Sequence, residues 1–491
     1  MATKIQDSSR PRLNVSRPAA EETQGAEAKS QSRPLAFKDG FESAVQLPRL
    51  PAPPPPPTSK PPKTPPSKPP KTPPSKPPKT PPSKPPQVPP SKPPQVPPSK
   101  PPNVPPEGGP SKPPASADSD PMKYIEYLSS DALKGRDSPS AGLDAASAYV
   151  QDHVKKYGLV GPNSNNPENP FQQKFNVYSF LGTPAAKGEL HAPHKDFGHK
   201  TFEEGFYLDD QMPKDTLATL NRQYESAMKA TGQATVAPRS GKQRSVEELR
   251  QVATATGQAV NTMAMLPGTG PHKDEVIVVM AHLDHVGTDR RGNVYNGADD
   301  NASGSAVLMA SVPELAEMQK NGKLDRSVLF IWTGAEEKGL VGSQYFVDHP
   351  IPGLEAKNIA GVINTDMVGR WDDQRLSVVD TNTKGQPNYF HDLVDQANQK
   401  LADPFDRINR DINVYRDRQD GASFGRKGED VLFLFEGLSN PKGGGDLIPE
   451  YHEPEDDIGK IIEDNGGQKP RRIKDLLVNV IGMASNRVVE Q

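Results

Sequence analysis

VIVVMAHLDH (Val276–His285) is the stretch whose reading decides the fold. Its first six residues are apolar and mostly β-branched, with no polar residue alternating among them. A strand with one wet face would alternate, so this one is expected to be covered on both faces. It then runs directly into His282, Asp284 and His285. The same grammar recurs downstream. SVLFIW (Ser327–Trp332) leads into Glu336 and Glu337, IAGVIN (Ile359–Asn364) into Asp366, and VLFLF (Val431–Phe435) precedes Tyr451 and His452. Helical patterns separate these runs, at Gly304–Met318 and Phe390–Leu401. Apolar strands alternating with helices predict an α/β three-layer sandwich with a mainly parallel central sheet.

Ligand sites in such sheets lie beyond the carboxyl ends of the strands. Here that edge gathers imidazoles and carboxylates, and the connection after the first strand adds Asp299 and Asp300 just before an Asn-Ala-Ser-Gly helix start. Taken singly, each residue has a bland reading: a surface histidine, a helix-capping aspartate, a solvated glutamate pair. Taken together, at successive strand ends, they suit metal-assisted hydrolysis. The chain has no cysteine, so a thiol nucleophile and any thiolate metal site are excluded. Imidazole and carboxylate suit zinc without thiolate. Two zinc ions about 3.5–4 Å apart, sharing a carboxylate, polarise a carbonyl and lower the pKa of a shared water. One further carboxylate must stay unligated to carry the water's proton to the leaving group. Adjacent glutamates at a strand end can divide those jobs, because successive side chains point in opposite directions. The HEPED run at His452 is not HExxH, since Asp456 stands where the second histidine would be, so a helix-borne zincin site is excluded.

The order HLDH (282–285), GADDNASG (297–304), EEKGLVGS (336–343), NTDMVG (364–369) and YHEPEDD (451–457) resembles the co-catalytic di-zinc aminopeptidases. These form one superfamily with the bacterial leucyl aminopeptidases, glutamate carboxypeptidase and glutaminyl cyclase. The resemblance covers Asn261 to the last residue, and YIEYLSSDALKGR (124–136) and KKYGLVGP (155–162) are similar to the family's N-terminal part. It implies that His282 and Asp366 bind one zinc, Glu337 and His452 the other, and that Asp300 bridges them. It also implies Glu336 as general base and Asp284 as the group orienting His282. All these positions are filled, which argues against an inactive relative. Two departures touch the expected substrate pocket. The family's Ser-Asp-His-x-x-Phe loop reads Gln419, Asp420, Gly421, Ala422, Ser423, Phe424 here, and its Gly-x-Pro reads Gly428, Glu429, Asp430. The implied activity is a zinc-dependent exopeptidase, read first as an aminopeptidase acting on peptides. A glutaminyl-cyclase-like acyltransferase with one zinc and a carboxypeptidase are the enzyme alternatives. Tyr415 and Tyr451 are further candidates beside the oxyanion.

Upstream, composition changes sharply. Of 57 prolines in 491 residues, 33 fall within 51–114, where Ser59–Pro106 is six copies of one octad, SKPPKTPP three times, SKPPQVPP twice and SKPPNVPP once. Proline fixes φ and removes a donor, so polyproline II is expected. At ~3.1 Å per residue such an array reaches roughly 150 Å. It reads as a stiff spacer; Pro66, Pro69 and Lys71 also fit a PxxPxK docking pattern. Residues 1–50 lack apolar periodicity and are expected to be disordered. They carry net +2 and residues 51–114 net +9, so a whole-chain charge of −3 leaves −3 − 11 = −14 on residues 115–491. An acidic body argues against nucleic acid as partner. A docking partner or cell-surface polymer for the cationic arm is the non-enzyme alternative, with the body as passenger. The remaining 115–491 is read as the metallopeptidase domain, with a polar, partly helical insertion at about 185–258. There, Asp215–Ala234 and Val246–Ala259 show helical patterns, and His191, His194 and His199 read as an exposed loop. Apolar runs of at most six to eight residues exclude a transmembrane helix. The polar first 40 residues show no ordinary signal peptide. A soluble chain is expected, and only the family resemblance favours an extracellular or cell-envelope location.

Overall fold

A computed structural model describes residues 118–180, 205–231, 235–239, 241–289, 291–371, 374–437 and 447–486. The proline-rich arm, the segment before it and the three histidines at 191, 194 and 199 lie outside these residues. Among the described residues nine strands form one sheet: β1 (Gln172–Ser179), β2 (Gly205–Tyr207), β3 (Thr254–Leu266), β4 (Val276–His282), β5 (Ser327–Thr333), β6 (Ile359–Thr365), β7 (Arg375–Val379), β8 (Arg407–Asn409) and β9 (Val431–Phe435). Their order is β2-β1-β3-β5-β4-β6-β9-β7-β8. The central run β5-β4-β6-β9 is parallel. Antiparallel pairs flank it, β3 on β5 and β7 on β9.

Among the described residues ten α-helices accompany the sheet: α1 (Pro121–Leu128), α2 (Ala141–Lys156), α3 (Lys214–Thr231), α4 (Val246–Arg250), α5 (Gly304–Lys320), α6 (Val341–Asp348), α7 (His391–Gln399), α8 (Gly421–Gly425), α9 (Ile458–Asn465) and α10 (Gln468–Asn486). The expected covering of both sheet faces is visible in how β4 divides its side chains. Ile277, Val279 and Ala281 pack with α1, α2, α5, α7 and α10. Val276, Val278 and Met280 pack with Phe346 of α6 and Phe424 of α8 on the opposite face. Period-two alternation thus persists inside an unbroken apolar run, because each face has its own helical layer.

One local expectation fails. The helical pattern at Val246–Ala259 stops at Arg250. Ser245 and Glu248 do form the capping box that starts the helix, but Thr254–Leu266 is a strand whose Thr254–Thr262 part pairs antiparallel with β1 across one register shift. Sheet pairing overrides local propensity there. The helix α3 and the short strand β2 pack a second apolar cluster, including Phe206, Leu220, Tyr224 and Leu249, over the β1–β3 flank. Among the described residues no helix is long and apolar enough to cross a membrane.

Candidate metal centre

Parallel register sets the level of the site. His282 at the end of β4 pairs with Thr333 at the end of β5, and Met280 pairs with Asn364 of β6. The residues that follow, Glu336, Glu337 and Asp366, therefore leave the sheet beside His282. All of them are buried, as are Asp284, His285, Asp300 and His452. The Asp300 carboxylate lies between two imidazoles: Oδ1 is 3.2 Å from His282 Nε2 and Oδ2 is 2.8 Å from His452 Nε2. Asp366 Oδ1 sits 3.3 Å from His282 Nε2. Glu337 Oε2 sits 3.2 Å from His452 Nε2. Glu336 lines the same cleft as His282, Asp300 and Asp366. The structure thus brings together all the residues expected from sequence. Asp284 differs in detail: its carboxylate is 3.9 Å from His282 Nδ1, while its backbone oxygen is 3.2 Å away. The carboxylate instead accepts from the Glu336 N–H at 3.1 Å.

Local backbone geometry is held by polar groups of the same motifs. Asn301 accepts from the N–H groups of Gly304 (2.9 Å) and Met367 (3.3 Å) and donates to the Thr365 carbonyl (3.0 Å). It ties the Asp300 loop to the Asp366 loop. A Cβ at Gly304 would lie 2.4 Å from both Asn301 Oδ1 and Thr365 O, so only glycine lets that helix start approach. Ala335, Met367 and His452 all adopt positive φ, a conformation non-glycine residues keep only where surroundings enforce it.

Two residues contribute that the sequence reading did not single out. Asp456, fully buried, accepts from the N–H groups of Asp299 (3.0 Å) and Asp300 (3.1 Å). Arg136, fully buried, donates to the carbonyls of Leu283 (2.9 Å), Asn296 (2.8 Å), Gly297 (3.0 Å) and Leu128. Each is a clamp across chain segments far apart in sequence, and no local pattern encodes such a contact. The LKGR and HEPED strings were the available signals.

Electrostatics follow from this crowding. Burial, then neighbouring Glu337, Asp420 and Asp366, push Glu336 well above the usual carboxylate range. Burial raises Asp366 to about 6 and Asp284 to about 7. Burial alone would also raise Glu337, but His452 and the hydrogen bonds from His285 and His452 hold it at about 2. Burial would depress His452, yet Glu337 and Asp300 lift it to about 9. Carboxylates forced up by burial and mutual repulsion are relieved by a dication among them.

A tetrahedral zinc with donors at about 2.0–2.1 Å sets its ligand atoms roughly 3.3 Å apart. The four imidazole–carboxylate separations given above, 2.8 to 3.3 Å, lie near that edge length. The donor set fits zinc. Beside it, Met367, Phe433, Phe435 and Leu447 form an apolar wall of the cleft, with Tyr415, Arg418 and Tyr451 at the same opening.

Fold and site together define an α/β sandwich with an imidazole–carboxylate cluster at the carboxyl edge of its parallel strands. Residues 261–476 match the model of peptidase family M28. Aminopeptidase YwaD of Bacillus subtilis is 32% identical over 192 residues, covering 39% of this chain and 38% of that protein. A probable leucine aminopeptidase of Arthroderma otae is 27% identical over 203 residues, covering 40% of this chain and 51% of that protein. The chain thus spans about half or less of the length of these relatives. The solved structure of BSAP, a zinc aminopeptidase from Bacillus subtilis, aligns over 75% of this chain and 95% of its own at 20% identity, with a TM-score of 0.47.

Proposed function

We propose that the chain is a zinc-dependent exopeptidase, an aminopeptidase that removes N-terminal residues from peptides. The observation that carries this reading is Asp300, whose two oxygens face different histidines. A carboxylate so placed suits a bridge between two cations, with His282 and Asp366 on one side and Glu337 and His452 on the other. When bound, zinc would supply Lewis-acid polarisation of the scissile carbonyl and a lowered pKa for the attacking water.

The chain's own residues supply the rest. Glu336 lies in the cleft, and its backbone is fixed by the Asp284 carboxylate. It takes the proton of the attacking water and returns it to the leaving amine. Tyr451 stacks on the His452 ring, centroids 3.7 Å apart, which limits rotation of that imidazole. The apolar wall of Met367, Phe433, Phe435 and Leu447 receives an apolar side chain next to the bond that is cut. The proline-rich arm is proposed as a spacer outside this machinery.

The test combines metal and substrate. Zinc content is measured on the full chain, then hydrolysis of paired substrates with free and acetylated N-termini is followed before chelation, after it, and after zinc is restored. Two ions per chain, loss on chelation, recovery with zinc and preference for the free N-terminus are expected. Undiminished hydrolysis after chelation and dialysis would sink the metallopeptidase reading. One ion per chain with cyclisation of N-terminal glutamine would favour the acyltransferase alternative.

A further inference from the structure

His285 ends the HLDH string and stands outside the ligand set proposed above. It is fully buried, three residues past His282, and its Nδ1 lies 2.8 Å from Glu337 Oε1. The other Glu337 oxygen, Oε2, is the one facing His452. The two carboxylate oxygens are therefore divided between two imidazoles. Nδ1 is 3.8 Å from Asp300 Oδ2, beyond hydrogen-bonding distance, so its close partner is Glu337. The ring itself is immobilised. Gly297, at φ +56°, presses against it so closely that a Cβ there would fall 2.5 Å from both Cγ and Cδ2. The His285 N–H donates to the Arg136 carbonyl at 3.2 Å, and the ring meets His452 edge-on with centroids 5.5 Å apart.

We propose that His285 is a positioning residue that fixes which oxygen Glu337 offers to the His452 side of the centre. This rests on the metallopeptidase reading given above. An Nδ1–H donor engages Oε1 and prevents the carboxylate from rotating, leaving Oε2 toward His452 and Asp300. Partners of this kind orient a ligand and are worth about 10–100-fold in metal affinity when removed. The competing assignment is that His285 is itself a fourth donor beside Asp300, Glu337 and His452, since donor atoms of all four residues lie within 4.8 Å of one another. Sequence alone cannot separate the two, but side-chain geometry can. Asparagine places its amide nitrogen near the Nδ1 position and can donate to Glu337. Glutamine places its own near Nε2, and leucine has none.

Zinc affinity is measured by chelator competition on the full chain for wild type, His285→Asn, His285→Gln and His285→Leu. The Co²⁺-loaded proteins are compared by their visible absorption. His285→Leu and His285→Gln are expected to bind one of two ions about 10–100-fold more weakly. His285→Asn is expected to stay within a few-fold of wild type, with an unchanged cobalt spectrum. Wild-type affinity in His285→Leu would overturn the proposal. So would an Asn variant as weak as the Gln variant with an altered cobalt spectrum, which would make His285 a ligand. Should His285→Leu not fold, the Asn–Gln comparison decides, and equal affinities there refute positioning. A wild-type chain that binds no zinc would instead remove the metal reading on which the proposal rests.

Discussion

Replacing Asp456 by alanine probes the clamp between the two segments that carry Asp300 and His452. The carboxylate accepts from two buried backbone N–H groups, at 3.0 and 3.1 Å. Alanine leaves both without a partner. Burial first, and then Asp299, push Asp456 well above the usual carboxylate range, so the bonds are bracketed rather than assumed charged. Neutral hydrogen bonds contribute about 1 kcal/mol each and those to a charged group about 1.5–3. The pair therefore stabilises the fold by about 2–6 kcal/mol. For a body of about 370 residues the unfolding entropy is roughly 0.8 kcal/mol/K. The metal-free chain should then lose about 3–8 °C in Tm, read by near-ultraviolet circular dichroism in chelator. Zinc affinity should fall as well, by about tenfold or more, because Asp300 is no longer held by its own N–H. Asp456→Asn keeps one oxygen acceptor and should fall between alanine and wild type. A Tm change under about 1 °C together with wild-type zinc affinity would refute the clamp.

Glu336→Gln should keep both ions, with affinity within about threefold, while kcat drops about 10²–10⁴-fold; near-normal kcat in the metal-loaded variant would remove Glu336 from proton transfer. His153 gives a pH prediction away from the site. Burial depresses it to about 4; its Nε2–H donates to Met309 O at 2.8 Å, and its Nδ1 lies 3.2 Å from the Tyr124 hydroxyl, which donates to the Asp118 carbonyl, so burial is what favours the neutral ring. Because the folded value lies below the unfolded value of about 6.5, the unfolded chain binds the proton first. The contribution is complete above pH 6.5 and is lost as pH falls toward 4, at about 1.4 kcal/mol per unit. His153→Gln should therefore lose about 2 kcal/mol less than wild type between pH 6.5 and 5 in denaturant titrations; identical acid losses in the two proteins would contradict this.

Much of this was legible in sequence because it is written in local patterns. The strands β4, β5 and β6 are short, apolar and followed within a few residues by ligand-type residues, so topology alone brings His282, Glu337 and Asp366 to one edge. Sequence was silent where meaning lies in long-range contact. Arg136 clamps carbonyls up to 161 positions away, and Asp456 reaches N–H groups 157 and 156 positions away; neither has a periodicity to read. Val246–Ala259 misled because helical spacing over its first residues carried into a segment whose partner, β1, is remote. The division of Glu337 between His285 and His452 belongs to the same class: it depends on rotamers, not on spacing.

The two buried arginines near the site show how the fold keeps its carboxylates available. Arg370 is spent on outer acids: it donates to Asp464 at 2.6 Å and to Glu450 at 3.2 Å, and its N–H meets Glu436 at 2.6 Å. Arg136 lies closer to the centre, within electrostatic reach of Asp300, Asp456, Asp284 and Glu337. Yet its nitrogens donate to backbone carbonyls. Burial lowers it only to about 10, opposed by those same acids, so it stays charged at neutral pH. A guanidinium bonded directly to Asp300 or Glu337 would fill the lone pairs that a cation needs and compete with it for the site. Held against carbonyls, the same charge favours ionised carboxylates through space and leaves their oxygens open. The inner acids are then met at close range by His282, His285 and His452, groups whose nitrogens can themselves serve as ligands. With Arg370 on outer acids, Arg136 on backbone carbonyls and imidazoles among the inner carboxylates, the oxygens of Asp300 and Glu337 carry no guanidinium among the described hydrogen bonds.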